Sequence, residues 1–234
     1  MNPLDLYLCV REKEGRLYPD PIAAHLPDLP AHHPLADEWH ARAASANRLA
    51  RYIARLPQLP CILELGCGNG WLSHKLASVR GVRAWGLDRG GSELAQAARL
   101  FGASNLAFLN ADIFRSPFVP HRFDLIVLAS VIQYFPDLSA LIRTLKDLLT
   151  PGGEIHVLDS PLYSENELTA ARERTRAYYA SLGFPEMAGL YFHHTVSSLL
   201  PFSPRWLYRP PDWQNRFRRR FGQITSPFAW FCIR

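Results

Sequence analysis

Two hydrophobic patterns alternate along the chain. Short apolar runs lie at 62–65, 82–87, 106–109 and 123–130, and a fifth follows Pro151-Gly152-Gly153. Runs of this length, apolar without alternation, suit parallel strands buried on both faces. Between them the apolar spacing is helical: 71–79, 92–101, 137–149 with Leu138, Leu141, Ile142 and Leu145 on one face, and 164–182 ending before Gly183. Strands that alternate with helices predict a doubly wound α/β fold and exclude a purely helical or all-β module. Upstream, Leu35, Trp39, Ala46, Leu49 and Ile53 recur at helical spacing with Arg42, Arg48, Arg51 and Arg55 between them, giving an amphipathic helix that ends before Pro57.

The flanks read differently. Residues 1–34 hold six prolines and three histidines with one short apolar patch, and read as an irregular arm or cap. The expected division is an arm and capping helix over 1–56 and a ligand-binding domain over 57–234. Within the latter, 183–213 is rich in proline and aromatics, too long and too apolar for a plain linker, and reads as a lid over a substrate pocket. Segments 217–224 and 228–233 read as an antiparallel hairpin turning at Ser226-Pro227.

Composition adds modest constraints. The chain has 234 residues, 48% hydrophobic and 20% charged, enough for one full core. No apolar run approaches the roughly 18 residues of a membrane span, and the first residues lack the basic and apolar regions of a signal peptide, so a cytoplasmic protein is expected. Cys9, Cys61, Cys67 and Cys232 are scattered, without the spacing of a zinc site or a disulfide framework, and no metal is expected. The net charge is +5, and much of the local excess lies in Arg216-Phe-Arg-Arg-Arg-Phe221. So short a cluster is a solvated element end more often than a phosphate-binding strip, which argues against a nucleic-acid partner.

The candidate chemistry centres on Glu64-Leu-Gly66-Cys67-Gly68-Asn-Gly70, where a strand breaks into a glycine turn and a helix follows. Such a turn presents backbone N–H groups and a helix N-terminus at the carboxyl edge of the sheet, where open α/β folds bind ligands. A dinucleotide fingerprint needs a third glycine where Trp71 stands. The spacing present resembles motif I of the class I S-adenosylmethionine-dependent methyltransferases. Asp88 closes the next strand about 20 residues later, placed to accept hydrogen bonds from both hydroxyls of a ribose, and its alternative is a turn or N-cap before the next helix. Asn110-Ala-Asp112-Ile113 resembles the following signature of that family, in which Asp112 would hold the adenine amino group and the Ile113 backbone a ring nitrogen; a simple Asx turn is the alternative. The Pro-Gly-Gly turn after a leucine-rich helix extends the resemblance over 60–160.

The resemblance implies a Rossmann-like seven-stranded sheet, mostly parallel with an antiparallel last strand, and S-adenosylmethionine as cofactor. The residues carried over to its binding are Glu64, Gly66, Cys67, Gly68, Gly70, Asp88, Arg89, Asp112, Ile113, Ala129, Gln133 and, from the capping helix, Arg42. The fourth strand lacks the Asn/Asp-Pro-Pro-Tyr/Phe run of DNA and protein-amide methyltransferases and carries Gln133 and Tyr134 instead, which points to a small-molecule methyl acceptor. His193 and His194, in the expected lid, are candidate general bases because imidazole titrates near neutrality, with Tyr134 a further catalytic candidate and Asp159, Tyr163 and Tyr191 as pocket residues. The aromatic supply favours an aromatic or moderately apolar acceptor with an O, N or C nucleophile. The alternatives are an RNA or protein methyltransferase, and a non-catalytic cofactor-binding assembly protein.

Overall fold

The five apolar runs become the parallel part of one sheet in the computed structural model, which describes residues 1–210 and 226–234. Strand β1 (Cys61–Leu65) is buried at every position. It lies between β2 (Arg83–Asp88) and β4 (Phe123–Ala129), with Ile62 opposite Ala84 on one side and Leu125 on the other. With β3 (Leu106–Asn110), β5 (Leu149–Leu158), β6 (Arg205–Tyr208) and β7 (Trp230–Ile233), the order is β3-β2-β1-β4-β5-β7-β6, and β7 runs antiparallel to both of its neighbours. The order reverses between β1 and β4. That switch point leaves a crevice beyond the carboxyl end of β1, where the glycine turn lies.

Helices cover both faces. On one, α3 (Ala36–Ile53), α4 (Trp71–Ala77) and α5 (Gly91–Phe101) bury Trp39, Leu49, Leu72 and Leu76 against Ile62 and Val127. On the other, α6 (Leu138–Leu148) buries Leu141 and Leu145 against Ile126, Phe123 and Phe231. Asp137 caps α6 by accepting the Ala140 N–H at 2.8 Å, the expected use of an aspartate just before an apolar helix.

Three expectations need correction. The first 34 residues are not wholly irregular but include two helices. Asn2 accepts the N–H groups of Leu4 and Asp5 and so caps α1 (Pro3–Lys13), and a short α2 (Asp20–Ala23) follows. Tyr18 accepts a 2.7 Å hydrogen bond from the Trp39 indole, which ties this arm to α3. The partner of β7 is β6, inside the stretch expected to be wholly lid. The strand expected at 217–224 and the basic cluster at 216–221 lie outside the described residues. Both edges of β7 are taken, by β5 and by β6. Pro151-Gly152-Gly153 is not a turn before the fifth strand but an irregularity within it, where the pairing with β4 shifts register between Phe123 and Leu125. The helix expected over 164–182 is found as α7 (Leu168–Leu182); it buries Ala171 and Tyr179, and Tyr179 packs in a small cluster with Leu6, Val10 and Met187. It therefore joins α1 in a cap, with a capping box at Ser164 and Glu167 leading into it. Among the described residues no helix is long and apolar enough to cross a membrane.

Candidate active site

At the end of β1 the chain turns sharply because the N–H groups of Gly66 and Cys67 both donate to the Leu87 carbonyl, at 2.7 and 3.2 Å. The glycines of the turn then divide by what surrounds them. A Cβ on Gly70, at φ +79°, would stand 2.7 Å from Ala97 and Phe108, and one on Gly66 would stand 2.3 Å from Val131. These two are glycine for packing. A Cβ on Gly68 would meet nothing nearer than the Glu93 carboxylate at 3.4 Å, so this backbone borders open space. Cys67 is buried, and burial pushes its thiol upward. Trp71 fills the place of a third glycine by packing edge-on against Trp39, ring centres 5.2 Å apart.

Three carboxylates border this turn, and a fourth, Asp112, follows β3. Asp88, the last residue of β2, accepts the N–H of Gly68 and that of Gly90, each at 2.8 Å. Glu93 on α5 lies close by; burial first, then the Asp88 charge, raises it to about 7. Glu64, buried within β1, accepts from Ser73, and burial pushes it up to about 8. Asp112 accepts the Phe114 N–H at 3.0 Å, so the Asx-turn arrangement is formed, and the following Ile113 is buried. Arg89 is exposed; its carbonyl accepts from Asn110 at 3.2 Å. Ala129, at the end of β4, packs on the core.

Beside the turn, beyond the ends of β4 and β5, lies a cavity of about 870 Å³. Its wall includes Ser130, Gln133, Tyr134 and Asp159 from the sheet edge and Arg42 from α3. The glycine turn is not part of that wall; the two regions meet where Val131, next to Ser130, fills the space over Gly66. Gln133 donates to the Ser130 carbonyl at 2.8 Å, whereas its buried Oε1 has no partner among the described residues. Tyr134 meets Tyr7 and Tyr191 edge-on at 5.4 and 6.1 Å. Arg42 stacks on Trp39 and pairs with Glu38 at 3.0 Å. Arg16 pairs with the same carboxylate at 2.6 Å; in spite of burial, the two guanidinium groups hold Glu38 at about 2.

The two histidines are elsewhere. His194 donates from Nε2 to the Ile132 carbonyl at 2.9 Å, and His193 lies 2.9 Å from the Thr175 hydroxyl. Both border a separate recess of about 310 Å³ with Arg172 and Arg176, and burial lowers both pKa values. A backbone bond from the Phe192 N–H to the Gln133 carbonyl, 2.7 Å, fixes this segment, so the expected delivery of a histidine to the larger cavity is not the arrangement found. The sequence reading missed Arg11, Glu14 and Arg16, which reach the cavity from the arm. The Asn2-Pro3 cap and the i,i+4 pair Leu6 and Val10 were the available signals of that helix.

The doubly wound sheet, its strand order and a glycine turn at the switch point with an acidic residue closing β2 define the Rossmann-like class of nucleotide-binding α/β proteins. Within it the chain belongs to the methyltransferase domain family, whose profile matches residues 61–220. It is 33% identical over 126 residues to the bifunctional biotin biosynthesis protein of Bordetella avium, a match covering 54% of this chain and 26% of that one. It is 30% identical over 98 residues to the ubiquinone biosynthesis O-methyltransferase of Serratia proteamaculans, 40% of each chain. The matches thus span less than half the length of these curated relatives. Among solved structures, the S-adenosylmethionine-dependent methyltransferase of Mesorhizobium loti shares the fold with a TM-score of 0.57 at 19% identity, over 82% of this chain and 98% of that one.

Proposed function

We propose that this protein is an S-adenosylmethionine-dependent methyltransferase acting on a small, aromatic or moderately apolar acceptor. The observation that carries the reading is the open cradle at Gly68, with the Asp88 carboxylate holding its N–H and Gly66 and Gly70 closed off by packing. Family membership and the named activities of the relatives support it. The residues present fit the cofactor. Asp88 would take the ribose hydroxyls, and Glu93, poised near neutrality, lies within reach of the same group. Asp112 retains an oxygen beyond its own turn for the adenine amino group, with Ile113 offering its backbone. The turn from Glu64 to Gly70 would hold the amino-acid portion, and the unpartnered Gln133 Oε1 is suited to an ammonium donor. When bound, the cofactor supplies an electrophilic methyl group on a sulfonium.

The rest falls to the protein: to orient the acceptor and exclude water, which contributes about 7–11 kcal/mol when the alignment is good. The cavity beyond β4 and β5 is the acceptor site in this reading. Tyr134, Tyr163, Tyr179 and Tyr191 give it aromatic walls, and the cap of α1, α7 and the segment after it would serve as the lid. The arm and capping helix over 1–56 would contribute Arg11, Glu14 and Arg16 to the acceptor site of the domain over 57–234. Calorimetry with S-adenosylmethionine and S-adenosylhomocysteine, followed by transfer of labelled methyl to a panel of small phenols, amines and carboxylates, tests the reading. Binding without transfer to any of them would favour a non-catalytic role.

A further inference from the structure

Ser130 and Asp159 end the neighbouring strands β4 and β5, and both are held in the left-handed backbone region, at φ +56° and +52°. Non-glycine residues rarely adopt it, and pairs of them cluster at functional sites. Their backbones are locked together: the Ser130 N–H donates to the Leu158 carbonyl at 3.0 Å and the Ser130 hydroxyl to the Asp159 carbonyl at 2.8 Å. The consequence is that the Asp159 side chain leaves the sheet edge and becomes part of the cavity wall, while remaining only 8% exposed. There its two oxygens are treated differently. Oδ1 accepts from the hydroxyls of Ser45 at 2.7 Å and Ser226 at 2.9 Å. No donor among the described residues reaches Oδ2.

We propose that Asp159 is the proton acceptor of the methyl-transfer reaction, with Oδ2 receiving the proton of an O–H or N–H acceptor seated in the cavity. This rests on the methyltransferase reading and on the cavity as acceptor site. As the acceptor's heteroatom forms its bond to the methyl carbon, its O–H or N–H bond breaks and the proton passes to Oδ2. The electron pair of the broken carbon–sulfur bond stays on sulfur, and the resulting carboxylic acid returns its proton to solvent through the cavity. An acceptor with a proton to lose is therefore required, which removes thioether and tertiary-amine acceptors from the range. Burial raises the Asp159 carboxyl, which suits it to a base, while hydrogen bonds from Ser45 and Ser226 and the charges of Arg42 and Arg48 on α3 oppose the rise. Among the described residues those two arginines are the charged groups that bear most on it, and Ser45, Ser130 and Ser226 are neutral. Gln133 Oε1, the other buried acceptor on this wall, takes the cofactor's ammonium group in the proposed function, which places the cofactor beside the methyl acceptor.

The test uses 2-naphthol and its methyl ether, 2-methoxynaphthalene, as probes on the full-length protein saturated with S-adenosylhomocysteine. Wild type should bind the naphthol at least about tenfold more tightly than the ether, the factor expected of a hydrogen bond to a charged acceptor. Asp159→Asn should bring the two affinities within about twofold, because the amide keeps an acceptor for the serines but offers N–H groups toward the probe. Equal affinities in wild type, no naphthol binding, or a preference that survives in Asp159→Asn would overturn the proposal. Should that variant fail to fold, Ser45→Ala keeps the carboxylate and removes one donor, so the infrared titration midpoint of Asp159 should move upward; an unmoved midpoint also overturns it. Binding of S-adenosylhomocysteine is measured separately on wild type, since its failure would strike the methyltransferase reading instead.

Discussion

The Asp88 carboxylate accepts the backbone N–H of Gly68 at 2.8 Å, linking the end of β2 to the turn that leaves β1. One side chain thus shapes the cradle and, in the proposed function, binds what the cradle holds. Asp88→Ala should weaken S-adenosylmethionine binding by at least about tenfold, given about 1.5–3 kcal/mol for each charge-assisted hydrogen bond lost. It should also lower the melting temperature of the ligand-free protein, because the Gly68 and Gly90 N–H groups lose their acceptor. Calorimetry and thermal melts on the same preparation separate the two effects, and unchanged affinity would remove the ribose assignment.

Gly68 and Gly70 are two residues apart and should respond oppositely. Gly68→Ala has room for its methyl group, so the protein should fold with a penalty of about 1–2 kcal/mol for the left-handed backbone and lose cofactor affinity. Gly70→Ala drives a methyl into Ala97 and Phe108. Its main loss should be stability, exceeding that of Gly68→Ala in chemical denaturation.

Tyr7 on α1 packs on Tyr134 and lies near enough to Asp88 and Glu93 to feel their charges. The helix therefore stands by the crevice at the ends of β1 and β2 that holds the cofactor in the proposed function, and burial, the largest effect on Tyr7, raises its pKa. Tyr7→Ala removes an aromatic pair of about 0.5–1.5 kcal/mol. Cofactor dissociation, followed by stopped-flow fluorescence, should quicken by roughly the corresponding factor of two to ten. An unchanged rate would mean that α1 does not close the site.

The acid response should come from a buried network between β5 and β7. The Trp230 indole donates to His156 Nδ1 at 3.1 Å, so the imidazole carries its proton on Nε2, which donates to Glu154 at 3.1 Å. Burial holds His156 below its ordinary value of 6.5, and the His156 hydrogen bond, with those from Tyr52 and Arg234, holds Glu154 at about 2 against an ordinary 4.5. In both cases the unfolded chain binds more protons than the folded one. Stability should therefore fall as pH drops below 6.5, and fall again between 4.5 and 2. Melts across that range check it, and His156→Gln should remove the upper step.

Glu64 works in the other direction. Raised by burial to about 8, it keeps its proton in the folded protein while the unfolded chain releases it above 4.5, so this residue makes stability decline as pH rises from 4.5 toward 8. Glu64→Gln should flatten that slope; an unaltered slope would show that the carboxyl titrates normally.

The sheet and the glycine turn were legible in the sequence because their determinants are local. A doubly covered strand must be apolar throughout, and the turn needs glycines at the few positions where a Cβ has no room, so Ile62 to Gly70 can be read without knowing what packs on it. Asp88 was legible for the same reason, being one residue past an apolar run. The Asn2 cap of α1 was also local, and was obscured by the prolines around it. What the sequence could not show is which distant segments meet. Ser45 and Ser226 converge on one oxygen of Asp159, α1 brings Tyr7 and Arg11 to the crevice, and the Phe192 to Gln133 backbone bond turns the two histidines into a separate recess. None of these has a periodicity or spacing that announces it. They follow from packing between segments far apart in the chain, so the glycine turn could be found from local pattern and the cavity beside it was decided by the tertiary structure.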